Sequence, residues 1–261
     1  MSEQVSSERI SLWTVPVVAA AGWAIGFLPQ LVRPQPLLLA PMVAELVSFT
    51  LLAAALGGLA AGLRPDRRTL SAALAGAGVL VAAVVGLSLG AGAAAANPTM
   101  LTHLVAVAAI TTFAGLGAGL AAGLGPCVLR APMLAAPAVC VPLWLDGILP
   151  GELPSSVINA LLAAALVTVL VTSVRRAVDL VAWLPAWILG WAMQTLLTVL
   201  VAIGVLIQEG RSVNAGLLSS HLVYFHERWN EPAVHYPAGW ALAGVLALAL
   251  VAWRLRDTLR V

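Results

Sequence analysis

The chain has 261 residues, of which 61% are hydrophobic and 9% charged, with a mean hydropathy of +1.01. A soluble domain carries about 45–50% apolar and about 25% charged residues, so a water-soluble globule is excluded and the bilayer is the one solvent that suits such a surface. Thirteen Arg and no Lys also exclude a lysine Schiff base and a Walker phosphate loop, so the chain supplies no ATPase of its own. A net charge of +2 would suggest a nucleic-acid partner in a soluble protein, but in a membrane protein the distribution of the Arg matters more than their sum, and no nucleic-acid partner is expected.

Apolar runs long enough to cross about 30 Å of hydrocarbon recur along the chain between short polar breaks. They predict an all-α polytopic bundle of about eight transmembrane helices in one domain, with spans near 11–31, 41–63, 69–91, 100–124, 130–147, 155–174, 180–208 and 238–254. The polar start from Met1 to Arg9 precedes an apolar run too long for a signal-peptide core, so the first run is expected to be a retained span. Alternate breaks carry Arg. Arg9, Arg64, Arg67, Arg68, Arg130, Arg175, Arg176, Arg254, Arg256 and Arg260 fall on one side, and Arg33, Arg211 and Arg228 on the other. The positive-inside rule then places both termini in the cytoplasm.

Gly58-Leu59-Ala60-Ala61-Gly62-Leu63-Arg64-Pro65 is echoed by Gly119-Leu120-Ala121-Ala122-Gly123-Leu124-Gly125-Pro126 at the inner ends of the second and fourth spans. Small residues four apart allow helices to approach closely in lipid, although a chain rich in Ala, Gly and Leu also produces such matches by composition. The fifth span holds Pro132, Pro137 and Pro142, each of which removes a backbone hydrogen bond, so it is expected inside the bundle, either kinked or interrupted.

Polar side chains within the spans are few. Glu45, His103 and Asn159 each lie four or five residues into a span that descends from the outer side, and Gln194 lies near the middle of the seventh. Together they form a candidate solute-binding set opening outward, with Glu45 as a proton or cation acceptor and His103 as its titratable partner; simple access to the headgroups is the alternative. Trp183, Trp187 and Trp191 form an i, i+4, i+8 stripe that suggests an interfacial anchor followed by packing residues. The outer segment 209–237 carries Leu218, Leu222, Phe225 and Trp229 at amphipathic spacing, with Asn214 as a cap, and predicts a surface helix over Ala215 to Trp229 that roofs the bundle. His221, His226 and His235 share this segment. His221 and His226 diverge by about 140° around a helix at its usual geometry, so no metal site and no cofactor is expected.

A permease or carrier for an unidentified solute is the first functional expectation, because nearly all the mass lies in the membrane and no soluble catalytic domain is present. Alternatives are a membrane subunit of an ATP-driven transporter, which would need a partner ATPase, and a non-catalytic subunit of a larger membrane complex. A membrane enzyme acting on lipid or isoprenoid substrates ranks third, since no paired carboxylates or Glu-x-x-His motif sits within a span. The lysine-free, Ala- and Arg-rich usage points to a high-GC prokaryote, hence to the cell membrane.

Overall fold

The computed structural model describes residues 11–32, 42–91, 98–149, 153–208 and 215–258. The described chain is all-α. Its helices are α1 (Thr14–Gly26), α2 (Leu28–Val32), α3 (Met42–Leu59), α4 (Arg68–Ala91), α5 (Pro98–Leu124), α6 (Arg130–Val139), α7 (Val141–Ile148), α8 (Ser155–Ser173), α9 (Trp183–Gln208), α10 (Ala215–Trp229) and α11 (Pro237–Thr258). Only helices satisfy every backbone group within an open segment in lipid, which is why these apolar runs have no other choice.

The α3 helix is the axis of the bundle: 78% of its span is buried, against 22–39% for the other long helices. One of its faces, with Leu46, Phe49 and Ala53, packs among α1, α4 and α5, while Val47, Leu51 and Leu52 face a second cluster built from α6, α8, α9 and α11. Lipid is as apolar as leucine, so the closeness of packing, at about 0.1–0.2 kcal/mol per atom pair, drives this assembly more than hydrophobic transfer does.

The two echoed segments lie against each other. Gly58 and Gly62 of the first face Gly119 and Gly123 of the second, so that a Cβ at position 58 would stand 2.8 Å from the Leu116 carbonyl oxygen and 3.0 Å from the Gly119 Cα. Farther along the same parallel pair of helices, the Thr50 and Thr111 hydroxyls meet at 2.5 Å. The echo extends to capping. Ser71 Oγ donates to the Ala61 carbonyl at 2.7 Å and Arg130 Nε to the Ala122 carbonyl at 3.2 Å, so equivalent carbonyls in the two copies are each closed by the helix that follows.

Two expected spans differ in detail. The run 11–31, expected as one helix, is broken at Phe27 into α1 and α2, and α1 alone covers about 20 Å at 1.5 Å per residue. Seven helices among the described residues are therefore long and apolar enough to cross, and the thirteen-residue α1 falls short. Pro29 is the physical reason: it has no N–H to give the Ile25 carbonyl, which instead accepts the Trp144 indole N–H at 3.0 Å. The fifth span is interrupted at Cys140, where Pro142 leaves the Ala138 carbonyl without its usual helical donor and the chain divides into α6 and α7.

Among the described residues, Arg64, Arg67, Arg68, Arg130, Arg175, Arg176, Arg254 and Arg256 all flank the same set of helix ends, and Arg228 alone lies at the opposite end. Cys127, in the turn before α6, sits partly exposed at the Arg-rich end, whereas Cys140 is buried. With the orientation expected from the Arg distribution, a membrane-impermeant maleimide should modify Cys127 in inside-out vesicles and leave it intact in whole cells. Modification in whole cells would reverse the topology.

Candidate functional site

At the Arg-poor end a cavity of about 700 Å³ opens between α3, α7 and α9, within the size range of small-molecule sites. Glu45 enters it from the first turn of α3 and Asp146 from the last turn of α7. Both carboxyl groups thus line one space. Ile158 of α8 and Val139 at the end of α6 supply apolar wall, and α9 contributes a strip from Gln194 to Ala202, about 12 Å of depth at the rise of a helix. Gln194 marks the deep end. It is 7% exposed, and its Oε1 accepts the Trp240 indole N–H at 2.8 Å. Its amide nitrogen makes no hydrogen bond to the described residues, so this donor remains for whatever enters the cavity.

Tyr224 of α10 and Tyr236 at the threshold of α11 close the cavity from above. The α10 helix has the bounds its amphipathic spacing predicts, and the expected Asn214 cap lies outside the described residues, as does the side chain of Leu218. Its inward face is not the leucine stripe. Leu222 is 72% exposed, while His221, Tyr224, Phe225, Arg228 and Trp229 are partly covered. Aromatic and amphipathic side chains prevail on this face because their tips find polar partners under the roof: the Arg228 guanidinium lies 4.7 Å above the Tyr224 ring and pairs with Glu231.

The roof is latched to α9 by Trp191 and His235. The fully buried imidazole of His235 stacks on the Trp191 indole with ring centroids 3.8 Å apart, its Nε2–H donates to the Arg228 carbonyl at 3.2 Å, and the Trp191 N–H donates to the Trp229 carbonyl at 3.1 Å. Nδ1 of His235 is buried without a hydrogen-bond partner. Burial lowers the His235 pKa below the ordinary histidine value, because the charged form would lose its water. Next to this latch Tyr236 holds a left-handed backbone, φ 46°, which costs a non-glycine residue about 1–2 kcal/mol and aims its ring at the cavity.

Of the four expected site residues, Glu45 and Gln194 line this cavity and two do not. Asn159 is spent on helix packing: its Nδ2 donates to the Ser155 carbonyl at 2.7 Å and its Oδ1 accepts the Gly239 N–H at 2.7 Å, across a contact that only glycine permits. His103 lies exposed on α5, away from the cavity wall. Asp146, Thr198, Tyr224 and Tyr236 were not singled out by the sequence. Asp146 lies at the very end of the expected fifth span, and neither tyrosine falls on the apolar stripe that marks α10.

The tryptophan stripe is likewise internal. Trp183, expected as an interfacial anchor, is buried and donates to the Leu170 carbonyl at 3.2 Å, and Trp187 packs on Trp240 at 4.7 Å. The three histidines of segment 209–237 part ways: His221 is half-buried, His226 exposed and His235 sealed under the roof. Comparisons with protein-family models, with curated proteins and with solved structures find no match for this chain.

Proposed function

We propose that this protein is a carrier of the cell membrane, with both termini cytoplasmic, that takes a small solute from the outer side into the cavity between α3, α7 and α9. The observation that supports this reading is the cavity itself: about 700 Å³ of space at the level of the membrane-spanning helices, with two carboxylates and a deep amide on its wall. Ionisable and polar groups within spans are costly to bury, and a water-filled solute path is a usual reason for their presence. The fold also provides two elements suited to movement beside that path. The division at Cys140 leaves α7, which carries Asp146, as an eight-residue segment of its own, and α10 forms a separate roof.

A carrier presents its site to the two sides in turn, so a cysteine on the cavity wall reports on the reading without knowledge of the solute. In a Cys127→Ser background, Thr198→Cys should react with an impermeant maleimide in whole cells and also in inside-out vesicles. Reaction from neither side would contradict a transport path through this cavity.

A further inference from the structure

We propose that the solute is an organic monocation with an apolar body, a statement that rests on the cavity being a solute site. The wall joins an aliphatic part, with Val139, Leu143 and Leu197 among its residues, to the Glu45 and Asp146 carboxyl groups, a pairing that suits a ligand with both an apolar body and a positive charge. Among the described residues that line it, the charged ones are Glu45 and Asp146, with no Arg or His. Arg228 of the roof is paired with Glu231. Two carboxyl groups on one wall favour a positive charge in the space they share. Tyr236 adds an aromatic residue to the wall, whereas the Tyr224 ring is already engaged by Arg228.

Gln194 supplies an observation independent of the carboxylates. Its orientation is fixed by Trp240, and its unpartnered amide N–H group, on a side chain more than nine-tenths buried, faces the deep end. A ligand whose charge lies at the level of Glu45 and Asp146 would therefore gain from an oxygen acceptor on the part of its body that reaches Gln194. Burial of apolar surface supplies most of the attraction, and the carboxylates select the sign of the charge.

The test uses purified full-length protein in detergent and tritiated tetraphenylphosphonium as the probe, with methyltriphenylphosphonium and the neutral, acceptor-free triphenylmethane as competitors. Saturable binding is expected, displaced by methyltriphenylphosphonium at concentrations at least tenfold below those needed for triphenylmethane. Glu45→Gln and Asp146→Asn should each weaken it about tenfold or more, and Thr198→Trp, which places an indole across the wall one turn above Gln194, should abolish it. Gel filtration and thermal unfolding of every variant establish that it is folded, and Asp146→Asn, which keeps the oxygen that accepts the Leu153 N–H, serves if Glu45→Gln does not fold. Equal displacement by the neutral competitor, with both carboxylate variants unchanged and Thr198→Trp inactive, would overturn the cation assignment while leaving the cavity as a solute site. Absence of saturable binding, or binding that survives Thr198→Trp, would overturn both.

Discussion

Gly119→Leu is expected to prevent assembly of the bundle, whereas Gly117→Leu, two residues away on the same helix, should be silent. A Cβ at position 119 would lie 2.9 Å from the Gly58 Cα and 3.0 Å from the Ala55 carbonyl carbon, closer still to that carbonyl's oxygen, so every obstacle is backbone that no rotamer change can move. At position 117 nothing lies within 4 Å. Overpacking a core costs about 1–3 kcal/mol where side chains can adjust, and here the only relief is to separate α3 from α5. Because α3 is the axis shared by both clusters, that separation reaches the whole molecule. Fluorescence-detected gel filtration after a temperature series should show loss of the monodisperse peak for Gly119→Leu and an unaltered melting point for Gly117→Leu. Equal behaviour of the two variants would mean that the close α3–α5 approach is not what holds the bundle together.

Trp191→Ala should free α10 from α9. The indole provides the stacking surface for His235 and the donor for the Trp229 carbonyl, so its removal costs about 3 kcal/mol, the low end for a large aromatic because this one is only half-buried. Amide exchange across 215–229 should then accelerate by about two decades. Acidification should act in the same direction through His235. A depressed folded-state value means that the neutral imidazole is the form that packs, so its contribution to docking is complete above the ordinary histidine value of about 6.5 and is lost as pH falls from there through the lowered value. Around the ring lie the Arg228 and Trp229 carbonyls, the Trp191 indole and the Glu231 carboxylate, and the last is already engaged by Arg228. His235→Gln retains a donor for the Arg228 carbonyl and should remove the acid sensitivity of α10 exchange, once intrinsic exchange rates are corrected. An α10 that exchanges equally in wild type and Trp191→Ala would show that the latch does not hold the roof.

The features legible in the sequence are those set by composition and periodicity over many residues. Spans such as Ser155–Ser173 and Pro237–Thr258 follow from apolar length, the Arg asymmetry marks one end of the bundle, and the spacing of Phe225 and Trp229 delimits α10. The cavity was half legible. Glu45 and Gln194 stand out because each is polar within a span, but Asn159 stands out for the same reason and is used up between α8 and α11. Polarity within a span reports that a partner is needed and does not say whether the partner is a ligand or another helix. Asp146 reaches the cavity through the Cys140 break, which the prolines of the fifth span announce without showing where Asp146 then points, and Tyr236 through a left-handed backbone, which no periodic pattern encodes. The break at Phe27 was hidden for a related reason, since Pro29 is tolerated there by the Trp144 indole, more than a hundred residues away in sequence.

The central claim is that the space beneath α10 is a solute site reached from the outer side, and the labelling rate of Thr198→Cys measures it most directly. In the Cys127→Ser background, an impermeant maleimide applied to whole cells should modify position 198 slowly at neutral pH, faster when Trp191→Ala is added, and more slowly again in the presence of tetraphenylphosphonium. A position 198 that resists modification from outside with the latch intact and with it removed would contradict the account.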